Sequence, residues 1–441
     1  MDVTILPRAL SGSIPAIASK SMAHRMLICA SLCPSPTDIA CDVVSADIDA
    51  TATCLEALGA SCRYDAAGRG FRVEPLPAGP DGDGLAAAPG ATLDCGESGS
   101  TERFLLPLVC ALGTGAVLEG HGRLPERPLS PLYELLATGG CALSAPRLPL
   151  RVSGRLRPGG HRLRGDVSSQ FASGLLMAAP LLGGPFELLV SEPVASRPYI
   201  DVTTRAMALF GVRVEAGRCD DDGRPATRFV VSGSERYRSP GACAVEGDWS
   251  NAAFWLVAGS IAPKGASVSV TGLDSLSAQG DRAVSAVLAK FGATVGRARN
   301  VATVAADRLD GADVACSDMP DLVMPLAVAA SLAHGASRLS GCGRLRLKES
   351  DRLDAVADVL ARMGAKVRIE GDDLVFEGVG SFRGACVDSH GDHRIAMMAA
   401  VAATRATGPV TITHAECVAK SYPRFFDDLA LLGGIVLTRE D

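Results

Sequence analysis

The chain has 441 residues, 47% of them hydrophobic, and 43 Lys and Arg against 49 Asp and Glu leave a formal net charge of -6. That length exceeds one ordinary core and calls for two domains. The negative balance speaks against nucleic acid or an anionic membrane as partner, no apolar run of about 18 residues offers a membrane span, and the start lacks the pattern of a secretory leader, so a cytoplasmic protein is expected.

Along the chain one pattern recurs, in which an amphipathic helix closes at Gly and turns straight into a strand. It occurs as LEALGASCRY at Gly59, ELLATGGCAL at Gly139, MALFGVRVE at Gly211, LAKFGATVG at Gly292, ARMGAKVRI at Gly364 and LALLGGIVL at Gly433. Between these, Gly115, Gly184, Gly265, Gly335 and Gly408 each precede a short β-type run, and Thr37 fills the first slot. The periodicity predicts six units of strand, helix, strand, helix, strand, strand, three before about residue 244 and three after. A Pro- and Gly-rich stretch over 76–90 reads as a surface loop. The fourteen cysteines stand among apolar neighbours without zinc spacing, so buried thiols and no metal are expected.

Polar residues gather where the first helix of each unit starts. In chain order these starts are Ser19-Lys20-Ser21, Glu97-Ser98-Gly99-Ser100-Thr101, Ser168-Ser169-Gln170, Gly247-Asp248, Pro320-Asp321 and His390-Gly391-Asp392-His393-Arg394. Segments ahead of the second helices add Arg123 and Arg127, Ser196 to Tyr199, Lys348 to Arg352, and Lys420. Free N–H groups and the positive dipole end make a helix N-terminus a natural phosphate or carboxylate site. Ser and Asp at such positions are ordinary caps, but Lys20 and Lys348 oppose the dipole there unless an anion is present.

The motifs SKSMAHR, RLPERP, DVSSQF, SRPYID, EGDWSNAAF, MPD, LKESDRL, GDHRIAM and VAKSYP follow one another in an order that resembles the enolpyruvyltransferase family, and within it the 3-phosphoshikimate 1-carboxyvinyltransferases (EPSP synthases). The resemblance implies an α/β fold of two similar domains, each of three βαβαββ repeats arranged as an inverse α/β barrel. It places one domain over 19–244 and the other over 1–18 plus 245–441, with the active site in the cleft between them. It also implies transfer of the enolpyruvyl group of phosphoenolpyruvate to the 5-hydroxyl of shikimate 3-phosphate, without metal or organic cofactor, by a protein expected to act as a monomer.

Carried over position by position, the resemblance assigns shikimate 3-phosphate to Lys20, Ser21, Arg25, Ser168, Ser169, Gln170, Ser196, Tyr199, Asp321 and Lys348. Phosphoenolpyruvate falls to Lys20, Gly99, Arg123, Gln170, Arg352, Arg394 and Lys420. Asp321 is the expected base for the attacking hydroxyl and Glu349, with Lys20, the expected acid; His393 assists loss of phosphate. Two anionic substrates require several fixed cations, and Arg offers a rigid fork to carboxylate and phosphate. Two positions depart from the family pattern: Glu97 stands where Asn is frequent, with Arg103 or Arg127 as candidates to screen it, and Arg344 stands where an amide side chain is expected. The alternatives are UDP-N-acetylglucosamine 1-carboxyvinyltransferase, which would carry a Cys in the loop that reads HGRLPERPLS here, and a non-catalytic anion-binding homologue.

Overall fold

Left-handed glycines end the helices and aim the chain back into the sheets. Gly59, Gly211, Gly292, Gly364 and Gly433 take φ between 81° and 110° directly after a helix, a conformation that costs any residue with a Cβ. At the second repeat Gly139 is still right-handed and Gly140, with φ 112°, makes the turn. The computed structural model describes residues 1–79 and 84–439. Part of the loop expected over 76–90, residues 80–83, lies outside the described residues; on its flanks Ala78 bridges Leu85.

The described residues contain the α-helices α1 (Lys20–Ser31), α2 (Ala46–Ala57), α3 (Gly99–Leu112), α4 (Leu132–Thr138), α5 (Ser169–Ala178) and α6 (Pro198–Leu209). They continue with α7 (Trp249–Ser260), α8 (Val284–Lys290), α9 (Val323–Leu332), α10 (Arg352–Arg362), α11 (His393–Ala403) and α12 (Phe425–Leu431). Six four-stranded sheets share one topology. In the sheet before α5, Ala91–Asp94 runs parallel to Ala116–Glu119, which pairs antiparallel with Leu150–Gly154, which pairs antiparallel with Cys141–Leu143.

The chain divides into two compact units, Ala18–Val245 and Met1–Ile17 together with Glu246–Asp441. Strand pairing explains the unequal cut. In the first unit Ala242–Ala244 lies parallel to Thr37–Ala40, supplying the opening strand of the repeat that holds α1 and α2. In the second, Gly12–Pro15 lies parallel to Ser267–Thr271, and Asp2–Leu6 is inserted between Val410–Thr413 and Ile435–Arg439.

Within each unit the first helices of the three repeats pack on one another and the sheets surround them. All twelve residues of α7 and all eleven of α11 are buried, as expected of a helix that is apolar all round. Small residues set the spacing. A Cβ on Gly174 of α5 would collide with the carbonyl of Arg103 on α3, so the two helices approach closely and carry Gln170 and Arg103 into contact. The fold is therefore an inverse α/β barrel repeated twice.

Candidate active site

In the unit Ala18–Val245, α1 opens with Lys20, whose Nζ donates to Asp47 Oδ2 at 2.6 Å on the neighbouring α2. Both side chains are largely shielded, so the pair is screened less by solvent and salt than a surface ion pair. Ser21 follows in the same turn, and its carbonyl accepts from Arg25 at 2.5 Å. Arg25 is buried; it also donates to Thr203 Oγ1 at 2.7 Å and to the Tyr199 carbonyl at 3.1 Å, and its guanidinium lies over Phe104. Burial lowers its pKa to about 10, still far above neutrality. Arg25 thus ties α1 to α6 and stays charged.

Ser168 caps α5 by accepting from the Gln170 N–H, and Ser169 opens the helix. Ser196, just ahead of α6, holds a left-handed φ of 51°, which is costly for a non-Gly residue. Gln170 accepts from Arg103 at 2.7 Å and donates to Ser100 Oγ at 2.9 Å. The amide therefore links the N-termini of α5 and α3.

Gly99 is the first residue of α3, capped by Ser98. What fills the space of its missing side chain is the guanidinium of Arg127, 2.6 to 2.9 Å from where a Cβ would stand. Arg123, by contrast, exposes 43% of its side chain and leans toward Glu126 at 3.6 Å. The buried arginine of RLPERP is the second one, on the far side of the 3-10 turn Leu124–Glu126. Arg103 and Arg127 both act on Glu102, a buried carboxyl of the same turn of α3. Glu97 lies against Gly122 and acts on His121.

In the unit containing Glu246–Asp441 the charges converge more tightly. Asp321 sits in the 3-10 turn Pro320–Leu322 that leads into α9. Its Oδ1 accepts from Arg352 at 3.0 Å and its Oδ2 from Arg394 at 3.1 Å. Arg352, first residue of α10, also meets Glu349 at 2.7 Å and Asp392 at 2.7 Å, with 2% of its side chain exposed. Asp392 caps α11 by accepting from the Arg394 N–H at 2.9 Å, and it takes the Ser350 hydroxyl at 3.1 Å. Two arginines, three carboxylates and the starts of α9, α10 and α11 form one buried network.

Burial alone would raise the Asp321 pKa, but Arg394, Lys348 and Arg352 outweigh it and hold the carboxyl well below its usual range. Lys348 moves the other way: burial first, then Arg352 and Arg344, lower it to about 8 against the pull of Asp321 and Glu349. Arg344 is thus placed near Lys348. His393 is buried, its Nδ1 3.8 Å from Asp392 Oδ1, and Lys420 donates to the Gly391 carbonyl at 2.9 Å in the turn before α11. Glu349 does not open α10; it stands three residues ahead, and Asp351 is the cap. Among the described residues no group of three or more His, Cys, Asp or Glu is placed to hold a metal ion.

Sequence reasoning gave no role to Asp47 or Glu102, named Asp392 only as a polar residue at a helix start, and named Arg127 only beside Arg123 and as a candidate to screen Glu97. The signal for Asp392 was present in the cap position of GDHR. The others depend on contacts between distant segments, to which sequence spacing is blind.

The profile of the family described as EPSP synthase (3-phosphoshikimate 1-carboxyvinyltransferase) matches residues 6–429. The 3-phosphoshikimate 1-carboxyvinyltransferase of Clostridium kluyveri is 37% identical over 434 residues, covering 98% of this chain and 97% of that protein. That of Clostridioides difficile is 36% identical over 441 residues, covering 98% of each. Among solved structures, the EPSP synthase of Acinetobacter baumannii superposes with a TM-score of 0.79 at 26% identity, covering 99% of this chain and 100% of its own. The enolpyruvyl transferase NikO of Streptomyces tendae shares the fold, with a TM-score of 0.72 at 18% identity over 99% of this chain and 98% of its own.

Proposed function

The chain belongs to the EPSP synthase family, and from that premise we propose how its residues transfer the enolpyruvyl group of phosphoenolpyruvate to the 5-hydroxyl of shikimate 3-phosphate. The observation that carries the reading is the single guanidinium of Arg352 held by Asp321, Glu349 and Asp392 at 3.0, 2.7 and 2.7 Å. Such a cluster offers a fixed cation to the donor and two carboxyls for proton transfer.

The acceptor's phosphate is assigned to Ser168 and Ser169 at the start of α5 and to Ser196, with Gln170 and Tyr199 on the ring. Ser21, Arg25, Asp321 and Lys348 complete its set. The donor is assigned to Lys20, Gly99, Arg123, Gln170, Arg352, Arg394 and Lys420.

Asp321 as a base presents a difficulty that the donor resolves. A carboxylate clamped by two arginines accepts a proton poorly. When the donor's phosphate and carboxylate engage Arg352 and Arg394, their charge offsets the field on Asp321 and its basicity returns toward the ordinary range. Asp321 then takes the 5-hydroxyl proton as oxygen attacks C2 of the donor, and Glu349 delivers a proton to C3. The tetrahedral adduct collapses as Glu349 takes a proton back from the new methyl group and phosphate leaves with the proton that Asp321 took from the 5-hydroxyl, assisted by the cations and by His393. The reading includes action as a monomer in the cytosol; light scattering tests the first.

The test is phosphate release measured with both substrates and with each omitted. Release is expected only when both are present, in equal amount to the enolpyruvylated acceptor. Release from phosphoenolpyruvate alone at a comparable rate would overturn the assignment.

A further inference from the structure

In the unit Ala18–Val245 the starts of α1, α2 and α3 are tied together one turn below Lys20. Lys20 of α1 bonds Asp47 of α2, and four residues on in each helix His24 Nδ1 meets Thr51 Oγ1 at 2.7 Å. Thr51 in turn lies 2.6 Å from Thr101 Oγ1 in the first turn of α3. Thr101 donates to Ser98 Oγ, the cap of that helix, from its hydroxyl at 2.8 Å and from its backbone N–H at 3.2 Å. His24, Thr51, Thr101 and Ser98 are all buried. Counting protons fixes the direction of this string, because each hydroxyl has one to give. Thr101 spends its own on Ser98, so Thr51 donates to Thr101 and His24 donates to Thr51. The ring is therefore the Nδ1–H tautomer, and its bare Nε2 is buried without a partner. Burial, with Lys20 and Arg25, keeps the ring neutral, and Phe104 of α3 packs edge-on against it at 6.4 Å.

We propose that His24, Thr51 and Thr101 are positioning residues for donor binding: their string of hydrogen bonds fixes the start of α3, and with it Gly99, in register with Lys20 on α1. This rests on the reading that Lys20 and Gly99 hold the donor. The acceptor's residues in this unit lie on α1, α5 and α6 or just ahead of them, and Arg25 ties α1 to α6 without help from α3. Gly99 places α3 in the donor's set alone. A helix start holds an anion through backbone N–H groups, which cannot adjust as a long side chain can, so a displaced helix displaces the bound group. Every donor in the string points toward Ser98, and hydrogen bonds of one sense reinforce one another. Removing the Thr51 hydroxyl leaves a buried N–H on His24 and a buried oxygen on Thr101 each short of a partner, and cuts this tie between α1 and α3.

The experiment compares the parent with Thr51→Val, Thr51→Ser and Thr101→Val, each checked by thermal unfolding. Thr51→Val keeps the shape and removes the hydroxyl. It is expected to raise the KM for phosphoenolpyruvate about tenfold, with kcat and the Kd of shikimate 3-phosphate within about twofold. Thr51→Ser should restore the KM, and the two valine changes together should cost no more than the worse of them alone, because the string acts as one unit. Proton–nitrogen NMR of isotope-labelled histidine in the parent should show His24, identified by its loss in His24→Gln, as the Nδ1–H tautomer. An Nε2–H tautomer would reverse the string and overturn the inference. Unchanged donor KM in both valine variants, with Gly99→Ala still losing donor affinity, would sink the positioning role alone. Unchanged donor affinity in Gly99→Ala would instead remove the reading on which it stands. Equal loss of donor and acceptor affinity in Thr51→Val would show a general distortion of the unit and equally contradict the proposal.

Discussion

Asp392 Oδ2 lies 2.7 Å from Arg352 Nε, and both side chains are almost completely buried. One carboxylate therefore orients the arginine, caps α11 and holds Ser350 beside Glu349. Breaking a buried pair by removing one charge typically costs about 3 to 5 kcal/mol, because the other is left uncompensated. Asp392→Asn is expected to lower stability by that order and to raise the KM for phosphoenolpyruvate at least about tenfold. Denaturant unfolding and steady-state kinetics check it; parent-like values in both would show that Arg352 is held by Asp321 and Glu349 alone.

Asp321→Asn and Glu349→Gln remove the two carboxyls placed for proton transfer. Turnover should fall at least about a hundredfold in each, since such transfers contribute roughly 10² to 10⁴, while shikimate 3-phosphate binds nearly as tightly as to the parent. Binding measured by fluorescence, set beside kcat, separates the two effects. Normal turnover in both variants would remove the assignment.

Glu102 makes a prediction about stability that is independent of any ligand. Its pKa rises from an ordinary 4.5 to about 7 on folding, so the folded state binds more protons between those values and loses stability as pH climbs through the window. The difference amounts to about 3 kcal/mol at pH 8, treated as an upper figure. Glu102→Leu should therefore exceed the parent in urea midpoint at pH 8 and approach it near pH 4.5. Equal midpoints at pH 8 would mean that the carboxyl is not sealed.

The thiols offer a fourth check. Cys386 is exposed, Cys219 and Cys243 are partly exposed, and the remaining eleven cysteines are buried; burial pushes Cys33, for example, up to about 12. The loop from Arg123 to Arg127 contains no cysteine. Brief treatment with a thiol reagent should modify Cys386 first and leave activity within about twofold, since the thiolate is the reactive form. Inactivation in step with the first modified thiol would contradict this.

The repeat was legible because its punctuation is chemical: a glycine with positive φ has few substitutes, and five of the six junctions fall at the expected residue. Gly140 took the turn expected at Gly139 because either of two adjacent glycines can adopt it. The helix starts were legible for the same kind of reason, since Ser168, Asp248 and Asp392 are caps with characteristic side chains. Pairing across the chain was not legible. Arg123 and Arg127 are equivalent as letters four positions apart, and only the 3-10 turn between them decides which is shielded. Lys20 with Asp47, and Arg352 with Asp392, are joined by packing of separate helices, which leaves no fixed interval in the sequence.

The measurement that bears most directly on the proposed reaction is turnover in deuterium oxide with the product's vinyl group read by proton NMR. Addition followed by elimination passes through a methyl group formed with a solvent-exchangeable proton held by Glu349, so deuterium should appear in the vinyl methylene of the product, and much more slowly with Glu349→Gln. A vinyl group transferred at the full parental rate with both of its original protons intact would contradict the account.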